Sequence, residues 1–235
     1  MEKVSRKIIS TSYNEEIASF FESIEYTFRT FHINKTIHEY GSNYCKLNGK
    51  NTLEDFVEFL NGNKGRSIEE YYTYHNLKHL FKQVSQTTNA KIDIEHISGN
   101  NTYDFLITYN GITILVEHKY IKQNGNTDGG QDISNAVNDI KNEEIFNKII
   151  FIIEHDENNV ITNIHIEAFV ANIVISRNNT FRLNKRSIHK NTGNVKGIWQ
   201  VATKPNRKWL NGLETIYDIK LKLLQIYNNT NTIAA

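Results

Sequence analysis

Cysteine is almost absent from this chain, since Cys45 is the only one among 235 residues. A disulfide framework and a cysteine-based zinc site are therefore both excluded. Long apolar runs are also lacking, because no window approaches the roughly 18 apolar residues that indicate a membrane span. The first residues, MEKVSRKIISTSYNEE, turn polar too early for a signal peptide. These absences predict a cytoplasmic protein with no membrane partner.

Acidic residues are missing from one long stretch, between Ala168 and Gly212. Because the whole chain holds 27 Lys and Arg against 26 Asp and Glu, this basic stretch leaves a strongly acidic remainder. Such an asymmetry favours a polyanionic partner, nucleic acid above all, over a solvated loop that happens to be basic. The stretch contains nine basic residues: Arg177, Arg182, Lys185, Arg186, Lys190, Lys196, Lys204, Arg207 and Lys208.

The spacing of apolar residues predicts an α/β fold. Strand patterns follow a mainly helical region, and a continuous apolar run at 147–155 is typical of a central strand buried on both faces. We expect one domain over 1–235, a mixed central β-sheet flanked by helices. Its parts are a mainly helical region at 1–88, a sheet with a crossover helix at 91–175, a basic DNA-binding segment at 176–212 and a helix at 213–228. The predicted elements are helices at 14–31, 52–60, 65–84 and 127–144, strands at 91–97, 103–120 and 147–155, and one or two further strands at 161–175.

The stretch YDFLITYNGITILVEHKY, residues 103–120, predicts a β-hairpin. Asn110-Gly111 is the strongest short hairpin signal, because both central residues of a type I′ turn need positive φ. If these two residues form the turn, Asp104 lies directly opposite Glu117, and Lys119 projects from the same face. The opposite face is apolar and is expected to be core.

Two carboxylates placed side by side need compensation. Two like charges about 5 Å apart repel by roughly 3 kcal/mol at an effective dielectric near 20. Lys119 could offset part of this as a surface salt bridge. The functional alternative is a divalent cation such as Mg²⁺, which prefers carboxylate, water and phosphate oxygens. Both interpretations of Asp104, Glu117 and Lys119 stay open at this point.

An Asp on one strand followed by Glu-x-Lys on the next resembles the active-site signature of the PD-(D/E)xK nuclease superfamily, which includes most type II restriction endonucleases. The matching residues are Asp104 and Glu117-His118-Lys119. Tyr103 stands where the family pattern has Pro. The resemblance covers residues 66–155 and implies a restriction-endonuclease-like fold with Mg²⁺-dependent hydrolysis of double-stranded DNA at a specific site.

The resemblance also implies roles for individual residues. Asp104, Glu117 and the main-chain carbonyl of His118 would bind Mg²⁺, for which Mn²⁺ may substitute, and the metal would activate a water. Lys119 would stabilise charge on the phosphate. The side chain of His118 points to the apolar face, so we expect it to be core and not a general base.

Two further residues are site candidates by the same resemblance. The apolar stripe of helix 65–84, extended backwards, places Glu70 on the buried side, where the family often has another acid. The alternative is an acid that favours the helix dipole and caps Ser67. Gln131 in GGQDI resembles a glutamine of the following helix that sometimes approaches the site; the alternative is an exposed helix start.

The basic segment would contact DNA phosphates, with Asn, Gln and Arg available for base edges. Cutting both strands of a palindromic site favours a homodimer, with the aromatic N-terminal helices as candidate interface. Two other functions compete with a restriction endonuclease. One is a structure-specific nuclease of junction-resolvase or repair type. The other is a non-catalytic DNA-binding protein in which Asp104, Glu117 and Lys119 form a salt-bridge cluster.

Overall fold

A computed structural model describes residues 2–48, 68–97, 103–188 and 195–234. Contacts between Cα atoms divide the chain into two compact units. We call them the hairpin unit, Phe21–Gln123 with Phe151–Ile166, and the basic unit, Met1–Phe20 with Asn124–Ile150 and Glu167–Ala235. Each unit is assembled from segments that are distant in sequence. The predicted single domain and its internal boundaries stay a prediction.

Helices make up most of the N-terminal third of the chain. The predicted helices at 14–31, 65–84 and 213–228 are confirmed, and the one predicted at 52–60 lies outside the described residues. Within the described part of the chain, no helix combines the length and apolar character needed to cross a membrane. The helices are α1 Glu2–Ser12, α2 Glu15–His32, α3 Ile37–Asn48, α4 Ile68–Thr87, α5 Ile133–Lys141 and α6 Ile216–Ala234.

The strands form two sheets, a five-stranded sheet in the order β1-β2-β3-β5-β6 and a three-stranded sheet in the order β4-β8-β7. The larger one contains the predicted hairpin as its β2 and β3. The strands are β1 Ile92–His96, β2 Phe105–Tyr109, β3 Ile112–Lys122, β4 Asn126–Asp132, β5 Lys148–His155, β6 Ile161–Ala168, β7 Leu183–Ile188 and β8 Val195–Ala202.

The five-stranded sheet is mixed, as predicted. Its strands β1, β2 and β3 pair antiparallel. The amide of Gln123 donates to the carbonyl of His155 at 2.8 Å, which joins the carboxyl ends of β3 and β5 as in a parallel pair. A short turn, closed by the Asp156 amide on the Val160 carbonyl at 3.0 Å, then returns the chain antiparallel into β6.

The core of the hairpin unit lies between the sheet and its helices. Strand β5 is buried at every residue except its last, which confirms the prediction of a central strand covered on both faces. Leu77 and Phe81 of α4 are buried. From α2, Phe28 packs edge-on against Phe151, with ring centroids 5.3 Å apart. The predicted α/β class, with helices flanking a mixed central sheet, is therefore confirmed.

The prediction of a helix over 127–144 is wrong in its first half. TDGGQD forms most of strand β4, and the helix α5 begins only at Ile133. The reason is a contact distant in sequence: β4 pairs with β8, and a Cβ at Gly129 would lie 2.5 Å from Cδ1 of Trp199. Only glycine permits that approach. Gly130 has a φ of +79°, inside a bulge between Asp128 and Asp132.

The basic stretch is also more regular than its sequence indicates. It contains β7 and β8, which pair antiparallel, whereas the pattern predicts little periodicity. Upstream, one strand and not two occupies most of 161–175: β6 ends at Ala168, and a 3-10 turn follows at Phe169–Asn172. The residues beyond that turn form no named strand and make two isolated bridges, Ile173 with Val201 and Ile175 with Phe181.

Candidate active site

The turn of the hairpin has the predicted conformation and register. Asn110 and Gly111 have φ values of +49° and +86°, as a type I′ turn requires. Phe105 pairs with Val116, and one residue earlier the amide of Asp104 donates to the carbonyl of Val116 at 2.9 Å. The pairing therefore continues past the end of β2, and the backbone of Asp104 lies beside the position of Glu117.

The two faces of the hairpin differ as the sequence predicts. Phe105, Ile107, Ile114 and Val116 are all buried and form the apolar face. The polar face is buried as well at its far end: Asp104 is 8% exposed and Glu117 is 4% exposed. Carboxylates with so little access to water need close partners.

The Asp104 carboxylate is anchored by backbone. Its Oδ2 accepts a hydrogen bond from the amide of His118 at 2.8 Å. The Asp104 carbonyl accepts from the amide of Ile97 at 2.9 Å. Asp104 is therefore fixed by the strands on both of its sides, by β3 through its side chain and by the end of β1 through its main chain.

Glu117 and Lys119 form a close ion pair, with Nζ of Lys119 2.5 Å from Oε1 of Glu117. Burial alone would lower the pKa of Lys119, but the charges of Glu117, Asp104 and Glu70 together outweigh it and raise that pKa. The lysine is therefore positively charged at neutral pH. Three acids act on this one ammonium group, so carboxylates outnumber cations in the cluster among the residues that the structure describes.

Glu70 lies on the buried side of α4, as the extended stripe predicts, and is 6% exposed. Its Oε1 lies 2.7 Å from Nε2 of His96. Ser67, the predicted capping residue, is outside the described part of the chain. The structure thus places Glu70 close enough to the hairpin cluster for its charge to act on Lys119.

The His118 side chain belongs to the core, as predicted. It is 5% exposed and its Nε2 lies 3.0 Å from Oγ1 of Thr73, which in turn accepts the hydroxyl of Tyr40 at 3.0 Å. Burial lowers the pKa of His118 to about 4. The ring is therefore neutral at pH 7 and hydrogen-bonded within the core, while the main-chain amide of His118 holds Asp104.

His96 and Thr73 are the neighbours of the cluster that sequence reasoning missed. His96 ends β1 and pairs with Phe105 of β2. The pairing of β1 with β2 would have brought His96 beside Asp104, but the periodicity of 91–97 does not reveal which strand it joins. Thr73 carries no motif, and only its burial against His118 distinguishes it.

The donor atoms of the cluster fit a hard divalent cation. Asp104 and Glu117 supply carboxylate oxygens, and the His118 carbonyl lies between Glu117 and Lys119 in the chain; Mg²⁺ is ordinarily held by one or two carboxylates with water and phosphate. Over the described ranges, no three or more His, Cys, Asp or Glu side chains are grouped as a metal site. The proposed ligands include only two carboxylates, so that finding does not count against them.

Three residues of the basic stretch line a concave surface in the basic unit. Arg177, Arg182 and Lys204 border a cavity of about 690 Å³, together with Asn126 and Asn206. No acidic residue lines it. Each of the three cations is exposed, and the side chain of none of them has a hydrogen-bonding or ion-pair partner among the described residues. We call this surface the cationic hollow.

Arg207 is committed to the interior of the basic unit. Its guanidinium donates to Oε2 of Glu167, to Oδ1 of Asn172 at 3.1 Å and to the carbonyl of Ala171 at 2.9 Å. The Arg207 side chain is only 10% exposed. Arg207, one of the nine predicted DNA contacts, therefore makes three hydrogen bonds within the protein through its guanidinium.

The remaining predicted residues are distributed along the basic unit. Lys208 is exposed and Lys196 is half-buried. Lys185 and Arg186 lie on β7, and Lys190 is outside the described residues. Gln131 lies on β4 and not in a helix and is 9% exposed, so its interpretation as an exposed helix start is wrong, while its approach to the site stays a prediction. Its Oε1 is buried without a hydrogen-bond partner among the described residues.

No protein-family model, curated protein or solved structure matches this chain. The resemblance of the hairpin to a nuclease site therefore depends on its own residues and their geometry.

Proposed function

We propose that this chain is a Mg²⁺-dependent endonuclease of type II restriction type, which hydrolyses double-stranded DNA at a specific short site. One observation carries the proposal: Asp104, Glu117 and Lys119 converge at one end of the hairpin, where the two acids are buried and, among the described residues, carboxylates outnumber cations. A cluster of buried charges that is unfavourable for stability is a common mark of a functional site.

The metal ligands would be the carboxylates of Asp104 and Glu117 and the main-chain carbonyl of His118. Mg²⁺ at this position would polarise a phosphate oxygen and lower the pKa of a bound water. The protein contributes preorganisation, since the His118 amide fixes the Asp104 carboxylate at 2.8 Å before any ligand arrives.

Lys119 has the properties of a group that stabilises transition-state charge. Its raised pKa keeps the ammonium protonated, and Glu117 holds it in place at 2.5 Å. When the scissile phosphate gains charge, this fixed cation would stabilise it in a site with little water. The ammonium would also help to position the attacking water.

The cationic hollow would hold the DNA backbone. No hydrogen-bonding or ion-pair partner among the described residues contacts the side chains of Arg177, Arg182 and Lys204. These side chains can therefore neutralise phosphates without first breaking a salt bridge. The amides of Asn126 and Asn206 are of the type that contacts base edges. A homodimer would match a palindromic site.

The competing function, a non-catalytic DNA-binding protein, is favoured by one observation, the short contact between Lys119 and Glu117. In that case the cluster would be a salt bridge and nothing more. A DNA-cutting assay distinguishes the two functions, because only the endonuclease would cleave DNA.

The test is digestion of a mixed-sequence plasmid with Mg²⁺ or Mn²⁺, followed by sequencing of the ends. We expect discrete fragments from the unmodified protein and a loss of at least about 100-fold in Asp104→Ala and Lys119→Ala, with DNA binding retained. Matched controls are Asp93→Ala, an exposed acid on β1, and Lys122→Ala, a lysine on β3 paired with exposed Glu157. Absence of cutting by the unmodified protein refutes the enzyme; preference for branched DNA indicates a structure-specific nuclease.

The cationic hollow is tested by salt dependence of binding. Changing Arg177, Arg182 and Lys204 together to Gln should make the plot of log affinity against log salt shallower by about 2–3, because each phosphate contact contributes about 0.9 to the slope. Binding is measured in the Lys119→Ala background, so that no DNA is cut. The control changes Lys7, Lys82 and Lys141, exposed lysines outside the hollow, to Gln. Equal slopes in both triple variants would remove the hollow from the DNA surface.

A further inference from the structure

The carboxylate of Glu70 is held by a residue outside the nuclease-like motif. Nε2 of His96 lies 2.7 Å from Oε1 of Glu70, and the two side chains are 9% and 8% exposed. Glu70 belongs to the first turn of α4, and His96 is the last residue of β1. The contact therefore connects a helix start to the sheet at the end where β2 begins.

The backbone of His96 is fixed beside Asp104. His96 pairs with Phe105, and the next residue, Ile97, donates its amide to the carbonyl of Asp104 at 2.9 Å. The imidazole also packs against two rings, with centroid distances of 5.9 Å to Tyr74 and 6.2 Å to Phe105. A ring restrained in this way presents its Nε2 in one direction.

In the hydrogen bond between Glu70 and His96, the histidine is the donor. An ionised carboxylate only accepts hydrogen bonds, so Nε2 of His96 carries the hydrogen that it donates to Glu70. Hydrogen bonds to a charged acceptor are shorter and stronger than neutral ones, and 2.7 Å lies in that range. Such a bond removes rotamer freedom from Glu70, whose charge acts on Lys119.

We propose that His96 is a positioning residue, which fixes the Glu70 carboxylate at the edge of the Asp104, Glu117 and Lys119 cluster so that Glu70 serves as an outer acid for the metal and its water. The inference rests on the proposed nuclease function for the role of Glu70. The contact between the two side chains is independent of that function.

The first experiment tests the contact without any activity. In the full chain labelled with ¹⁵N-histidine, the His96 ring signals are identified by their absence in His96→Gln. We expect the Nε2-H tautomer, and a change of the His96 ring shifts in Glu70→Gln but not in Glu69→Gln, a half-buried neighbour on the same turn. Unchanged His96 shifts in Glu70→Gln would overturn the proposal, whether or not the protein cuts DNA.

The second experiment tests the role. His96→Leu should raise the Mg²⁺ concentration for half-maximal cutting by about 10–100-fold, the usual effect of losing a hydrogen bond behind a metal site. His96→Gln, which keeps an N–H donor, should restore most of it. Combined with Glu70→Gln, the His96→Leu change should add little, because both remove the same contact.

The outcomes are distinguishable. If the unmodified protein cuts and the Leu and Gln variants lose metal affinity and thermal stability equally, His96 is a packing residue and the inference fails alone. If the unmodified protein neither cuts nor binds Mn²⁺ in calorimetric titration, the proposed function fails together with the role of His96, while the ring shifts still show whether Glu70 is held.

Discussion

Two buried ion pairs, one in each unit, have opposite surroundings. Arg207 and Glu167 are 10% and 14% exposed, and the guanidinium is also bonded to Asn172 and to the Ala171 carbonyl. Lys119 and Glu117, 20% and 5% exposed, have two more acids acting on the one ammonium, Asp104 and Glu70.

The difference in charge balance distinguishes an ion pair that stabilises the fold from an ion pair at the candidate active site. In the Arg207 network the charge of Glu167 is balanced, and Asn172 donates to the same carboxylate oxygen at 2.7 Å, so the pair compensates its own desolvation. In the hairpin cluster, over the described part of the chain, the acids outnumber the bases, which is costly in a folded protein unless a cation is supplied. A balanced pair indicates a role in folding, and an unbalanced one indicates a site.

The largest expected effect is on cutting, when the same change is made in both pairs. Glu117→Gln should lower the rate of DNA cutting by about 100- to 1000-fold, because it removes a charged metal ligand. Glu167→Gln should leave the rate of the folded protein within about threefold. Initial rates at saturating Mg²⁺ measure both. Equal losses in the two variants would mean that the balance of charge does not mark the site.

The same two variants should reverse their order in stability. Glu167→Gln leaves Arg207 charged and buried without its carboxylate, which should cost about 3 kcal/mol. Glu117→Gln relieves repulsion among carboxylates, and Lys119 keeps Asp104 and Glu70 nearby, so its free energy of unfolding should change by less than about 1 kcal/mol. Urea unfolding followed by circular dichroism measures both. A larger loss in Glu117→Gln contradicts the comparison.

The smallest expected effect is on the pH dependence of the free energy of unfolding, which we assign to His118, the residue between Glu117 and Lys119. Burial lowers the pKa of His118 from 6.5 to about 4. The unfolded chain therefore binds a proton between these values that the folded chain does not, and stability falls as pH drops through this window. From pH 7.5 to 5 the loss from His118 should be about 2 kcal/mol.

The measurement compares urea midpoints at pH 7.5 and 5 in the unmodified protein and in His118→Gln. The variant should lose this share of the pH dependence and keep the share of His32, whose pKa burial also lowers to about 4. Glu167→Gln should retain the full dependence. If the change in urea midpoint between pH 7.5 and 5 is the same in His118→Gln as in the unmodified protein, His118 does not stay neutral in the folded chain.

The hairpin cluster was predictable because its information is local. Asn110-Gly111 determines the turn, and the two-residue period of strands then places Asp104, Glu117 and Lys119 without knowledge of the rest. Glu70 followed from helical periodicity in the same way. The cationic hollow was not predictable, because Arg177 and Lys204 come together through the bridge between Ile173 and Val201 of β8, a contact between residues distant in sequence. The helix predicted over 127–144 failed in its first half for a similar reason, since Gly129 lies against Trp199. His96 was missed for the same reason, since its partner Glu70 lies 26 residues earlier in the chain.

One residue of the site also has a consequence for how the sequence can change over time. The amide of His118 holds Asp104, while its ring is bonded to Thr73, which is bonded to Tyr40. Substitution at Tyr40 of α3 and at Thr73 of α4 is therefore restricted, although neither side chain takes part in the proposed reaction. Substitutions at Tyr40 and Thr73 should be tolerated only when the new side chains keep His118 in place. We therefore expect positions 40, 73 and 118 to change together.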